Sequence, residues 1–139
     1  MGLLMPPPAD RTGFSMAVTA AAADIDELGH VNNTVYLRWV QDVATAHWRA
    51  VARAEDIDRF IWVVTRHEID YRRATLVGET LKLITWVGTP KGARFDRFVE
   101  IGGADGDLRA SALTIWALVD RVSGRAVRVP AEVAAPFLC

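Results

Sequence analysis

Cysteine is nearly absent: the 139-residue chain has one, Cys139, at its last position. One thiol cannot close an intrachain disulfide, so an oxidising compartment gains no support. A thiol at a chain end also has no base held beside it, and Cys139 is read as incidental. Excess charge of either sign is missing too. A net charge of −1 removes any global footprint for nucleic acid or a membrane surface, although a local basic cluster can still hold a phosphate. Long apolar runs are lacking. The start, Met1 to Pro8, has neither a basic leader nor an apolar stretch of signal-peptide or membrane-spanning length, and the chain is read as cytoplasmic. No internal repeat, P-loop, dinucleotide fingerprint or Ser-His-Asp signature occurs. Asp24, Asp26 and His30 could ligate a metal, but no HExxH or CxxC spacing supports them. Neither metal nor organic cofactor is expected.

What is present reads as one globular domain. Apolar residues make up 51% and charged residues 24%, a balance that builds a core rather than a disordered chain. Residues 1–12 read as a flexible tail and 13–139 as the domain. Alternating small or apolar residues from Phe14 to Ala22 give a strand period, weakened by alanine. A polar turn with Gly29 spans Asp24 to Asn33. From Thr34 to about Ala54, Tyr36, Val40, Val43, His47 and Val51 share one helical face, with Asn32, Asn33 and Thr34 as N-cap candidates. Segments 61–71, 80–87, 94–101 and 108–120 are β-branched and aromatic, and glycine-containing turns separate them. A short extended piece and a last helical turn after Pro130 close the chain. The order predicts an α+β domain. Its antiparallel sheet, a meander in the second half, wraps one long helix, with a face or edge left for a second subunit.

The chemistry-bearing stretch is Asp24 to Tyr36. It sets carboxylates just ahead of a helix N-terminus, whose free N–H groups and dipole can polarise a carbonyl. A carboxylate can serve as nucleophile or as general base on water. From spacing alone, plain helix capping explains these acids as well.

Asp-x-Asp-x-x-Gly-His-Val-Asn-Asn-x-x-Tyr-Leu-Arg, from Asp24 to Arg38, resembles the signature of the 4-hydroxybenzoyl-CoA thioesterase-like family of hotdog-fold enzymes. The likeness continues in Ile69-Asp70-Tyr71-Arg72-Arg73-Ala74 and Gly78-Glu79, where the family's usual proline is missing, and in Ser123 to Glu132. It implies a hotdog fold, assembly at least as a homodimer or homotetramer, and hydrolysis of an acyl-CoA without a cofactor. It places catalysis on Asp26 and a carbonyl-polarising backbone N–H on Asn33, with Gly29 keeping the turn tight. His30 orients Asp26 or the thioester, or merely anchors the turn. Tyr36 lines the acyl pocket or the core, as do Trp39, Phe60 and Trp62. His47 reads as a core histidine. Glu68 is a second acid–base candidate or an ordinary cross-strand neighbour. Coenzyme A phosphates need cations; the resemblance points to Lys91, Arg94 and nearby Arg97, with Arg72 and Arg73 as a second cluster, against plain solvated charge.

Three rivals stand beside this reading: a thioester on acyl carrier protein, a hotdog hydratase or dehydratase, and non-catalytic acyl-CoA binding. The hydratase pattern, Gly-Asp-x-Asn-Pro-x-His, fits poorly, because Ile25 precedes Asp26 and no proline follows.

Overall fold

The computed structural model describes residues 2–138, so Cys139 lies outside the described residues. Five strands form one antiparallel sheet: β1 (Phe14–Thr19), β2 (Phe60–Tyr71), β3 (Thr80–Val87), β4 (Arg94–Gly102) and β5 (Leu108–Asp120). Their spatial order is β1-β3-β4-β5-β2. The expected four-strand meander therefore holds only for β3, β4 and β5. Residues 72–79 carry the chain across, so β2 lies beside β5 at one edge and β1 takes the place beside β3. A local hydrophobic pattern specifies strands, and the partner of a strand is a non-local choice.

Alternation along the strands makes the inner face. Leu81, Leu83, Val99, Ile101, Ala110 and Ala112 are buried there against Val35, Tyr36, Trp39, Val40 and Val43 of the long helix α1 (Asn33–Val51). A single helix packed on one face of an antiparallel sheet is the hotdog architecture. A second apolar cluster, with Phe60, Val87, Phe95, Leu118 and Phe137, fills the other end of the sheet.

The helix starts where Asn32 caps it. The Asn32 Oδ1 accepts the Thr34 N–H and the Thr34 hydroxyl, both at 2.9 Å, a cap worth about 1 kcal/mol. It stops at Val51, earlier than expected, because Ala52 and Arg53 turn extended. The chain then restarts as α2 (Ala54–Arg59), where the Arg53 guanidinium donates twice to Asp56 at 2.8 Å. The last helical turn, α3 (Ala131–Ala134), follows Pro130. β1 also ends early. The carboxylate of Asp24 accepts the Ala21 N–H at 2.9 Å and folds the alanine run into a 3₁₀ turn over Ala22–Asp24.

β2 carries a bulge at Thr65. Phe60, Trp62 and Val64 face inward before it, and His67, Ile69 and Tyr71 after it. The N-terminal residues lie along β4 and β5: Leu108 donates to the Gly2 carbonyl at 3.0 Å, Leu4 to Gly106 at 2.9 Å, and Met5 to the Glu100 carboxylate at 3.2 Å. Among the described residues no helix is long and apolar enough to cross a membrane.

His47 sits on α1 with no solvent exposure, stacked on Phe14 and edge-on to Phe137. Burial first, and then the neighbouring Arg97 charge, pull its pKa from 6.5 to about 3. The folded protein keeps the ring neutral while the unfolded chain protonates it below about 6.5. Stability from this group is therefore complete above pH 6.5 and declines as pH falls toward 3, at about 1.4 kcal/mol per pH unit. Burial lowers His67 too, with the same sign. Urea unfolding from pH 7 to pH 4.5 should show this slope, and His47→Gln should flatten most of it. An unchanged slope in the variant would place the effect elsewhere.

Candidate active site

Residues 24–32 form a small antiparallel ribbon ahead of α1. Ile25 bridges Val31, the Asp26 N–H donates to the His30 carbonyl at 2.9 Å, and the Asn32 N–H donates to the Asp24 carbonyl at 2.9 Å. The Gly29 N–H returns to the Asp26 carbonyl at 3.0 Å. This is a three-residue hairpin loop whose last position is left-handed, and Gly29 has φ +84°. A Cβ there would meet nothing within 4 Å, so conformation rather than space requires glycine. Ile25 and Val31 pack toward the core. Two-residue alternation then sets Asp26 and His30 together on the opposite side.

The Asp26 carboxylate is fixed from within the loop. The Leu28 N–H donates to its Oδ1 at 2.9 Å, while Oδ2 has no partner among the described residues. Asp24 has a different environment. It is buried, and the Ala21 N–H, followed by the Arg38 guanidinium at 3.0 Å, holds its carboxyl below the usual range. Asp24 is a structural anion that ties the 3₁₀ turn to the first turns of α1. Asn33 is the first residue of α1. With Asn32 serving Thr34 and Val35, the Asn33 N–H has no acceptor among the described residues.

A buried cluster under the ribbon sets its position. The Val31 N–H donates to the Thr75 carbonyl at 2.9 Å, and the Tyr36 hydroxyl donates to the Thr75 Oγ1 at 2.8 Å. Arg109 donates to the same Oγ1 at 3.2 Å, to both Glu79 oxygens at 2.9 and 3.1 Å, and to Asp107 at 2.7 Å. Arg109, with the Leu76 N–H, holds Glu79 below its ordinary carboxyl range. Thr75, Arg109 and Asp107 carry no sequence motif of their own. The signal was the Gly78-Glu79 turn with an arginine at a strand start.

Asp26, Gly29, His30 and Asn33 are together on this ribbon and helix start; His30 is exposed and Asn33 faces solvent. Tyr36 is in the core, edge-on to Trp39 and Tyr71, and the Tyr71 hydroxyl reaches the Asn33 carbonyl at 3.3 Å. Glu68 stands on the outer sheet face, paired with Arg66 at 3.0 Å. Lys91 and Arg94 close the β3–β4 hairpin. That hairpin lies at the end of β3 away from Gly78 and Ala20, about 25 Å along the strand, so one protomer does not bring them to Asp26. Arg72 and Arg73 are nearer, with Asp70 and Asp107 as partners. Arg97 is not a surface cation of the hairpin. It sits between Phe95 and Val99 on the inner face, 7% exposed. Among the described residues no three His, Cys, Asp or Glu side chains are grouped to hold a metal ion.

Gly29→Ala should destabilise the fold by about 1 kcal/mol through backbone strain alone. Because the strain falls on the loop that aims Asp26, any hydrolytic turnover should drop more than thermal stability does. Chemical denaturation and steady-state kinetics on the same variant test this; equal activity would detach the loop geometry from the chemistry.

Comparison with known proteins agrees with this fold. The family model of the thioesterase-like superfamily matches residues 20–137. No curated protein matches the chain at sequence level. Among solved structures, a Lactobacillus plantarum protein assigned as an oleoyl thioesterase superposes with TM-score 0.84 at 21% identity over 93% of this chain. It is the longer protein, and this chain spans 52% of it. A Thermus thermophilus thioesterase complexed with coenzyme A and Zn gives 0.77 at 22% identity, covering 88% of this chain and 90% of that one. A 1,4-dihydroxy-2-naphthoyl-CoA thioesterase from Synechocystis gives 0.75 at 18%, covering 90% and 95%. These likenesses establish the shared fold, and the family match establishes membership: the chain belongs to the thioesterase-like superfamily.

Proposed function

We propose that the protein is an acyl-CoA thioesterase of the 4-hydroxybenzoyl-CoA thioesterase-like group, releasing a free acid and CoA. One observation carries the reading. Among the described residues, a carboxylate with a free Oδ2, on Asp26, and an unpartnered helix-start N–H, on Asn33, flank one short closed ribbon. The Asn33 N–H stabilises the oxyanion that forms on the thioester carbonyl, an interaction worth about 3 kcal/mol in such sites. In the nucleophilic route, Asp26 Oδ2 bonds to the carbonyl carbon, the C–S bond breaks, and CoA leaves as thiolate. Water then cleaves the mixed anhydride. In the general-base route, Asp26 takes a proton from water, the resulting hydroxide attacks, and that proton passes to the departing sulfur. His30, opposite Asp26 on the ribbon, orients the acid or the substrate.

Assembly completes the site. β2 is a twelve-residue edge strand, and an unpaired edge of that length is a template for a second copy. Antiparallel pairing of two β2 strands sets one protomer's hairpin end beside its partner's ribbon end. Lys91 and Arg94 then reach CoA phosphates bound at the neighbouring ribbon, and Glu68 lies near the junction.

Thiol release from a panel of acyl-CoAs, wild type beside Asp26→Asn, tests the assignment. Loss of kcat by about a hundredfold or more is expected, with solvent heavy oxygen entering Asp26 in single turnover only on the nucleophilic route. Retained kcat in the variant would remove both routes. The paired substitution Lys91→Ala with Arg94→Ala should raise KM for acyl-CoA by roughly tenfold, a loss of about 1.4 kcal/mol. It should leave a pantetheine thioester, which lacks the 3′-phosphate and pyrophosphate, unaffected. Equal effects on both substrates would move the CoA contacts elsewhere. Competition between acyl-CoA and the same acyl group on a carrier protein decides between the two thiol carriers.

A further inference from the structure

Beneath the C-terminal half of α1, between that helix and the sheet, lies a cavity of about 300 Å³. It is separate from the Asp26 ribbon: Ala44 and Trp48 line it, roughly 16 Å or more along α1 from Asn33. Its walls are aromatic, with Phe60, Trp62, Phe95 and Phe137 among them. Three arginines line it, and of these the guanidinium of Arg97 is the buried one.

Arg97 is unlike the other buried arginine. Arg109 sits between two carboxylates. Arg97 makes no ion pair among the described residues. Its Nη1 donates to the His47 Nδ1 at 2.9 Å and to the Thr85 Oγ1 at 3.0 Å. Its Nε and Nη2 have no acceptor among the described residues. Its neighbours carry no negative charge. His47 on α1 is neutral, Thr85 on β3 and Thr114 on β5 are hydroxyls, and Phe137 presents its ring 6.0 Å away. The indole N–H of Trp116, another lining residue, is buried without a partner among the described residues. A buried cation without a counter-ion is costly, and an anion entering from the cavity removes that cost. At the mouth, Arg49 has no ion pair among the described residues and Arg121 is held by the carbonyls of Ile57, Asp58 and Phe60. The rim is therefore positive.

We propose that this cavity binds the carboxylate of an apolar acid, with Arg97 as its counter-ion. A carboxylate fits better than a phosphate. One buried cation balances one negative charge, two oxygens match the free Nε and Nη2 in a fork, and the aromatic walls take the hydrocarbon. The acid is either free or the far end of a chain tethered to CoA.

Three tryptophans line the cavity, so intrinsic fluorescence reads occupancy. Octanoate should bind the wild type at least tenfold more tightly than octan-1-ol. Arg97→Met should abolish that preference while melting at or above the wild-type temperature, because an unpaired buried charge is gone. Arg97→Lys should retain part of it. Equal affinity for acid and alcohol in the wild type, or an undiminished preference in Arg97→Met, overturns the proposal. Hexadecanedioyl-CoA against hexadecanoyl-CoA separates the two sources. Tighter binding of the first, lost in Arg97→Met, assigns the tethered carboxylate. Equal binding of the two, with the octanoate preference intact, assigns the free acid.

Discussion

The candidate site depends on the tie between Thr75 and Arg109. Thr75 is fully buried, and its carbonyl and hydroxyl receive bonds from the ribbon, from α1 and from β5. Arg109 links the turn before β3 to the start of β5 through Glu79 and Asp107. None of these groups needs to meet a substrate. They fix where the ribbon that carries Asp26 leaves the sheet and where α1 begins. Buried charge is tolerable here because every strong donor of Arg109 is answered.

The two inward arginines show how differently one sheet face can use the same side chain. Alternation along β4 assigns Arg97 to the interior, whereas Arg109 is the extra residue where the β4–β5 register shifts. Arg109 is neutralised by its own chain, which makes it architectural. Arg97 lies over the Phe137 ring and is supported by hydroxyl and imidazole acceptors that carry no charge. Burial pulls it down to about 10, so it stays protonated at neutral pH and its field is directed into an apolar space. The protein thus has two polar centres at opposite ends of one helix, one an open carboxylate and the other a closed cation.

Much of this was readable in advance, for local reasons. Strand and helix boundaries fell within a few residues because β-branched alternation and the 3.6-residue stripe are local signals. Asp26, Gly29, Asn32 and Asn33 are adjacent in sequence, so a turn and a cap place them without knowledge of the sheet. The pairing of β2 with β5 was not readable, since pairing depends on surfaces far apart in the chain. The break before α2 was not readable, since the apolar stripe runs on to Val51 and the Arg53–Asp56 pair that starts α2 carries no apolar signal. Arg97, expected beside Lys91 and Arg94, lies inside because Phe95, Val99 and Ile101 set the parity of its strand. Lys91 and Arg94 were grouped with the carboxylate by family likeness, and only the length of β3 separates them.

The apolar fringe of the ribbon bears on when the chemistry can operate. Leu28, Leu76, Val77 and Tyr71 are exposed around it, and within one chain Asp26 is half-buried and Asn33 exposed. There a charge or dipole acts through a high dielectric and is heavily screened, and the same groups act several-fold more strongly once water is excluded. Covering that fringe changes no residue, only the medium between them. With the proposed second copy seated there, the field at the ribbon would belong to the joint surface, and through mass action it would track how much protein is present.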